Sequence, residues 1–118
     1  MSGGRFRLLR EQADGFTDAL TAGGLTRPTA VKLLTMFPAD ENYALLEQAM
    51  AAGDTDAAFR AAHTLKGVCG NLCLEELYRT AAPLSDALKR GDTDTAARLF
   101  EEMRPVYRDT VAALETLR

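Results

Sequence analysis

The sequence predicts an all-α fold, an antiparallel up-down four-helix bundle with an extra N-terminal helix or helices. Three observations predict it. Apolar residues recur every three or four positions along nearly the whole chain, which is the period of one helix face. The alternation of Val, Ile and Thr with polar residues that marks a strand is absent, and the chain has no isoleucine. The connections between periodic stretches are short, so consecutive helices must turn back on one another as neighbours. The 118 residues are 47% hydrophobic and 26% charged. That suits a single globular domain over residues 1–118 with one core.

Residues 1–4 are expected to be a loose start. Phe6, Leu9, Ala13, Phe16 and Leu20 share helical spacing, which predicts a helix over residues 5–21, weakened by Gly15 and closed by Ala22-Gly23-Gly24. Thr26 can cap a second helix, with Pro28 tolerated in its first turn and Val31, Leu34 and Phe37 on its buried side. Pro38 ends or kinks it. A third helix is expected over residues 39–52, with Tyr43, Leu46 and Met50 inward and Gly53 as its stop. Asp54 caps a fourth, running to about residue 72, and a short break follows at 72–74. Residues 75–90 form a fifth helix, with Leu77, Ala81, Leu84 and Leu88 inward and a kink at Pro83, whose ring opposes the carbonyl of Arg79. Gly91 ends it. Asp92 caps a last helix to about residue 117, bent at Pro105, with Leu99, Met103, Val106, Thr110 and Leu114 along one side. The bundle core spans about residues 26–117.

Gly-Asp-Thr-Asp occurs twice, at 53–56 and 91–94. A repeat at that spacing invites a helical solenoid. The flanking residues do not repeat, however, and a helix stop followed by a cap accounts for both copies.

Composition excludes several functions. A net charge of −3 argues against nucleic acid as a partner. Two cysteines are too few for a disulfide scaffold; Cys69 and Cys73 lie in one helical run and read as small buried hydrophobes. One histidine and two cysteines on different faces do not make a zinc site, so neither metal nor cofactor is expected. No apolar run approaches the roughly 18 residues of a membrane span, and no signal peptide is visible. A cytoplasmic location with no membrane partner is expected. With no glycine-rich nucleotide loop, the chain should neither bind ATP nor phosphorylate itself.

The most informative stretch is Ala61-Ala62-His63-Thr64-Leu65-Lys66-Gly67, which holds the only histidine. At about 100° per residue, Ala58, Ala61, Ala62, Leu65, Cys69 and Leu72 gather on one core face. His63 falls almost opposite, so it should point to solvent. Around it lie Phe59, Arg60, Lys66, Gly67 and Gly70. Phe59 either sits at the outer edge or packs sideways on a neighbouring helix. Gly67 and Gly70 each cost about 1 kcal/mol relative to alanine inside a helix, which a need for clear space beside the imidazole would explain. A neutral imidazole is a nucleophile, and the Lys66 ammonium can offset the charge of a phosphoryl group. Spacing alone leaves a solvated surface histidine as an open alternative.

Ala62-His63-Thr64-Leu65-Lys66-Gly67 followed by Asn71-Leu72 resembles the motif of histidine-containing phosphotransfer (HPt) domains of two-component phosphorelays. The resemblance covers roughly residues 20–115. Gly53-Asp54, Leu77, Ala81, Leu84 and Lys89-Arg90-Gly91-Asp92 fall where that family has turns and its next helix. It implies a phosphocarrier rather than an enzyme, with His63 as phosphoacceptor, Lys66 neutralising the phosphate and Gly67 giving clearance to a partner. The implied partners are response-regulator receiver domains and a hybrid histidine kinase, with magnesium supplied by the receiver. Phe59, Arg60 and Gly70, grouped around His63 by spacing, are the candidate partner-binding residues. Two positions depart from the pattern: Cys73 stands where the family usually has glycine, and Pro83-Leu84-Ser85 where it often has x-leucine-glutamate. Both bear on local helix geometry. A monomer is expected, and the initial Met and full set of helices suggest a free-standing protein. The alternative is a non-catalytic helical interaction module using the same face.

Overall fold

Six α-helices and one short 3-10 turn, with no strand, make up residues 2–118, the part of the chain described in this computed structural model. They are α1 (Ser2–Ala22), α2 (Arg27–Met36), the 3-10 turn (Phe37–Ala39), α3 (Asn42–Ala52), α4 (Thr55–Asn71), α5 (Glu75–Arg90) and α6 (Thr93–Glu115). The all-α expectation therefore holds.

The helices begin and end where local chemistry tells them to. Both Gly-Asp-Thr-Asp copies do the same work. Gly53 and Gly91 take left-handed φ values of 69° and 74°, a region that costs a residue with a Cβ about 1–2 kcal/mol. The aspartate that follows each glycine then caps the next helix. Asp54 Oδ1 accepts from the backbone N–H of Ala57 at 3.1 Å, and Asp92 Oδ1 from that of Thr95 at 3.2 Å. Hydrogen bonding from the Thr95 side chain, and second from its backbone N–H, holds the Asp92 carboxyl below its ordinary range. Thr26 caps α2 in the same manner, through the N–H of Thr29 at 3.3 Å, with Pro28 in the first turn.

Several boundaries differ from expectation. Residues 2–4 are not a loose start: α1 already includes them, because helix propagation adds a backbone bond per residue and neither Gly3 nor Gly4 takes a positive φ. The same expectation for Met1 lies outside the described residues. The third helix starts at Asn42 rather than residue 39. There Asp40 Oδ1 accepts from the backbone N–H of Asn42 at 2.9 Å and from its side-chain amide at 2.8 Å, a local turn that competes with helix. α5 runs unbroken through Pro83, and α6 through Pro105. Pro83 is exposed, so the acceptor it leaves unpaired on Arg79 faces the solvent side, while Leu84, Ser85, Ala87 and Leu88 just beyond it are buried and hold the helix down. On α6 the buried register is Ala96, Phe100, Met103, Thr110, Ala113 and Leu114, and Leu99 and Val106 are only half-buried.

The contacts group into two compact units: residues up to Ala39 with Arg108–Arg118, and Asp40–Tyr107. In the first, Ala13, Thr17 and Leu20 of α1, Ala30 and Leu34 of α2, Phe37 and the end of α6 supply the buried residues. Arg10 donates to the Thr116 carbonyl at 3.1 Å, tying α1 to that end. The second unit carries α3, α4, α5 and most of α6 as an up-down four-helix bundle on connections of two or three residues. α4 lies between α3 and α5. Its buried face is Ala58, Ala61, Ala62, Leu65 and Cys69, and the three alanines let its neighbours come close. α3 is fixed to α6 by aromatic stacking and charge. The Tyr43 and Tyr107 rings lie 3.7 Å apart and 4° from parallel. Arg104 sits over Phe100 and donates to Glu47 Oε2 at 2.7 Å and Glu101 Oε2 at 2.9 Å.

Between α4 and α5 the chain turns on Cys73, the one non-glycine among the described residues with a positive φ, 58°. This is the position where the sequence departs from a glycine pattern. The left-handed backbone explains why glycine suits it. Cys73 is only half-buried, against the expectation for a buried thiol, because the turn carries it out of helix register. Cys69 is fully buried as expected, and burial, with the Asp40 charge second, pushes its thiol up to about 12. Replacing Cys73 by glycine relieves the left-handed strain and gives back part of it through the unfolded chain's added freedom. Cys73→Gly should therefore stabilise the fold by roughly 0.5–1 kcal/mol, a rise in Tm of about 2–5 °C in a thermal melt, while Cys73→Val should lower Tm. A lower Tm for the glycine variant would show that the turn carries no strain.

Candidate functional site

Because the inner face of α4 is buried, its outer face is set by the 3.6-residue period and nothing else. His63 is exposed on that face, as expected. Phe59, one turn earlier, is half-buried and stacks on the imidazole, with ring centroids 5.7 Å apart and planes 27° apart. The alternative of Phe59 turning away onto a neighbouring helix does not describe this contact. Arg60 is exposed and Lys66 half-buried. Among the described residues, neither is in an ion pair. The only carboxylate on α4 is Asp56, two turns before His63 and beside the helix start. On α4 the charged groups nearest the imidazole are thus two cations, neither held in an ion pair with a carboxylate.

The two glycines on this face differ. At Gly67 a Cβ would have nothing within 4 Å, so the space beside His63 is open. At Gly70 a Cβ would lie 3.4 Å from Cε2 and 3.6 Å from Cδ2 of Tyr78, which leans across from α5 and is 40% exposed. Gly70 therefore lies beneath an aromatic ring, a contact that spacing along α4 does not reveal. Tyr78 itself falls off the buried stripe of α5, and only the three-dimensional fold brings it to the rim of the histidine face.

Sequence reasoning also missed the contribution of α3. An open groove of about 460 Å³ runs between α3 and α4, lined among others by Leu45 and Gln48 on one side and by Arg60, Ala61 and Thr64 on the other. Arg60 and Thr64 place it next to His63. Leu45 is 44% exposed, an apolar side chain left at the lip of the groove because Leu46 takes the buried position. Among the described residues, no three His, Cys, Asp or Glu side chains come together in a way that could hold a metal ion. None of the helices is long and apolar enough to cross a membrane.

The geometry is that of a single nucleophilic imidazole, flanked by two cations and by bare backbone, on an open surface. A family model described as the Hpt domain matches residues 38–117, 80 of the 118. No curated protein and no solved structure matches the chain.

The glycines give a direct check on this face. Gly67→Ala meets no neighbour and gains helix propensity, so it should stabilise the fold by up to about 1 kcal/mol. Gly70→Ala puts its Cβ in ordinary van der Waals contact with the Tyr78 ring, so it should gain at least as much as Gly67→Ala. Paired urea titrations would measure both. A smaller gain at Gly70 would mean that the Tyr78 ring sits too close to admit a Cβ.

Proposed function

The chain belongs to the Hpt domain family, whose role is histidine phosphotransfer in phosphorelays, and we propose that His63 is the residue that carries the phosphoryl group. One observation bears most of the weight. The family's chemistry needs a histidine, and the matched region contains one, which is the only histidine in the sequence. Hpt domains are phosphocarriers that interact with receiver domains and histidine kinases. In this reading the donor and the acceptor are both receiver domains, and each docks on the outer face of α4 with the α3–α4 groove beside it.

The transfer balances without an added proton. The neutral imidazole nitrogen attacks the phosphorus of an aspartyl phosphate. A P–N bond forms as the P–O bond breaks, and the aspartate leaves as carboxylate with the electron pair of that bond. The imidazole ring gains the positive charge, and the total charge is unchanged. Passing the group to a second aspartate is the same step in reverse. Lys66 would offset the phosphate charge of about −2. The open space over Gly67 would let a partner bring its aspartate within about 3–3.5 Å of the nitrogen. Magnesium, in this reading, arrives with the receiver, and this chain supplies position and charge.

Phosphotransfer from a labelled receiver tests the assignment. His63→Gln should accept no acid-labile phosphate while its Tm stays close to wild type, since exposed substitutions shift stability within about ±0.5 kcal/mol. Lys66→Ala should fold normally and slow transfer roughly tenfold, the size of one charge-assisted contact. Full labelling of His63→Gln would overturn the assignment, and an unchanged rate for Lys66→Ala at low salt would remove the lysine from it. A protein that binds the receiver yet never takes phosphate would instead be an interaction module.

A further inference from the structure

We infer that Phe59 is a positioning residue for the transfer: its ring fixes the plane of the His63 imidazole, and so the direction in which the nucleophilic lone pair points. The inference rests on His63 being the phosphoacceptor.

An exposed histidine on a helix is free to turn. The torsion that rotates an imidazole about its own axis is broad and roughly two-fold, with no sharp well to hold it. A hydrogen bond from one ring nitrogen commonly supplies that restraint. Here, among the described residues, no hydrogen bond or ion pair holds His63, and the stack on Phe59 is its one directional contact. On the opposite side Gly67 offers no side chain at all. The ring is restrained on one side only, by an aromatic face that is itself half-buried and anchored in the fold.

That arrangement suits an imidazole that must attack. The lone pair of the neutral ring nitrogen lies in the ring plane. A group stacked on the ring face therefore leaves the lone pair uncovered, while setting the plane in which it points. The 5.7 Å centroid separation is within the range of offset aromatic pairs. A partner donating a hydrogen bond to the ring would occupy the lone pair that must attack, and an aromatic face does not. The P–O bond broken and P–N bond formed are those of the proposed transfer, and Phe59 touches neither. It acts through His63 by raising the fraction of encounters in which the nitrogen is aligned. A partner-binding role for Phe59 would instead show in receiver affinity.

The test is single-turnover transfer from a phosphorylated receiver, followed over a range of concentrations so that the limiting rate and the half-saturating concentration are separated. Thermal melts confirm that each variant is folded. Phe59→Leu keeps the apolar bulk and loses the aromatic face. Its limiting rate should fall about three- to tenfold, the bias that one aromatic pair imposes on an equilibrium, with half-saturation unchanged. Phe59→Tyr should restore the rate. In the NMR spectrum the His63 ring protons should move downfield in Phe59→Leu, as ring-current shielding is lost, and return in Phe59→Tyr. An unchanged limiting rate in Phe59→Leu overturns the inference. So does a loss that appears only in half-saturation, or one that Phe59→Tyr does not restore. Wild-type protein that takes no phosphate on His63 would fail the functional assignment itself, and this outcome is seen before any Phe59 variant is compared.

Discussion

The burial of one stripe of α4 is the constraint on which the rest of the site depends. Ala58, Ala61, Ala62, Leu65 and Cys69 are held against α3 and α5, and their removal from water is worth more than any contact on the other side of the helix. Once that stripe is fixed, the rotation of α4 is fixed, and His63 has no freedom to be anywhere but outside. Three of the five inner residues are alanines. Small residues let the neighbouring helices close in, which fixes the helix that carries the exposed His63. The caps at Asp54 and Asp92 and the left-handed glycines before them set the lengths of α4 and α6, and hence their register in the bundle.

On the outer face, groups are arranged by what is left out as much as by what is present. Lys66 and Arg60 flank the imidazole without carboxylate partners, so their charge is not already spent within the protein. Some exposed arginines elsewhere pair with acids, as Arg79 with Glu75 and Arg98 with Glu102 do. Such surface pairs contribute little to stability, but their absence at Arg60 and Lys66 leaves both cations free to meet an incoming anion. Gly67 omits a side chain where one would stabilise the helix. In the proposed function each of these choices costs the free protein a little and serves only the bound state.

Much of this was legible in the sequence. The inner stripe of α4, the exposure of His63 and the stop-and-cap reading of Gly-Asp-Thr-Asp follow from period and capping chemistry, which are local. What was not legible depends on neighbours distant in sequence. Tyr78 reaches Gly70 from another helix, and Leu45 lines a groove that exists only once α3 and α4 are packed. The stack of Phe59 on His63 joins residues four apart, yet spacing shows only that the rings can meet, not that they do. The delayed start of α3 came from an aspartate turn that outcompeted helix at Asp40, and the half-exposure of Cys73 from a left-handed turn that helical periodicity does not anticipate.

The most direct measurement of the central claim, that the outer face of α4 is kept clear so that a receiver can reach His63, is made on Gly67→Leu. A Cβ there meets nothing within 4 Å in the free protein, and leucine favours helix, so the variant should melt at or above the wild-type temperature. Its side chain would rise one turn from the imidazole, in the approach path of a receiver. Transfer from a phosphorylated receiver should then fall by at least roughly tenfold, the equivalent of about 1.4 kcal/mol of lost alignment, while phosphorylation of His63 by a small chemical donor is reduced far less. A stable Gly67→Leu protein that accepts phosphate from the receiver at the wild-type rate would contradict the account.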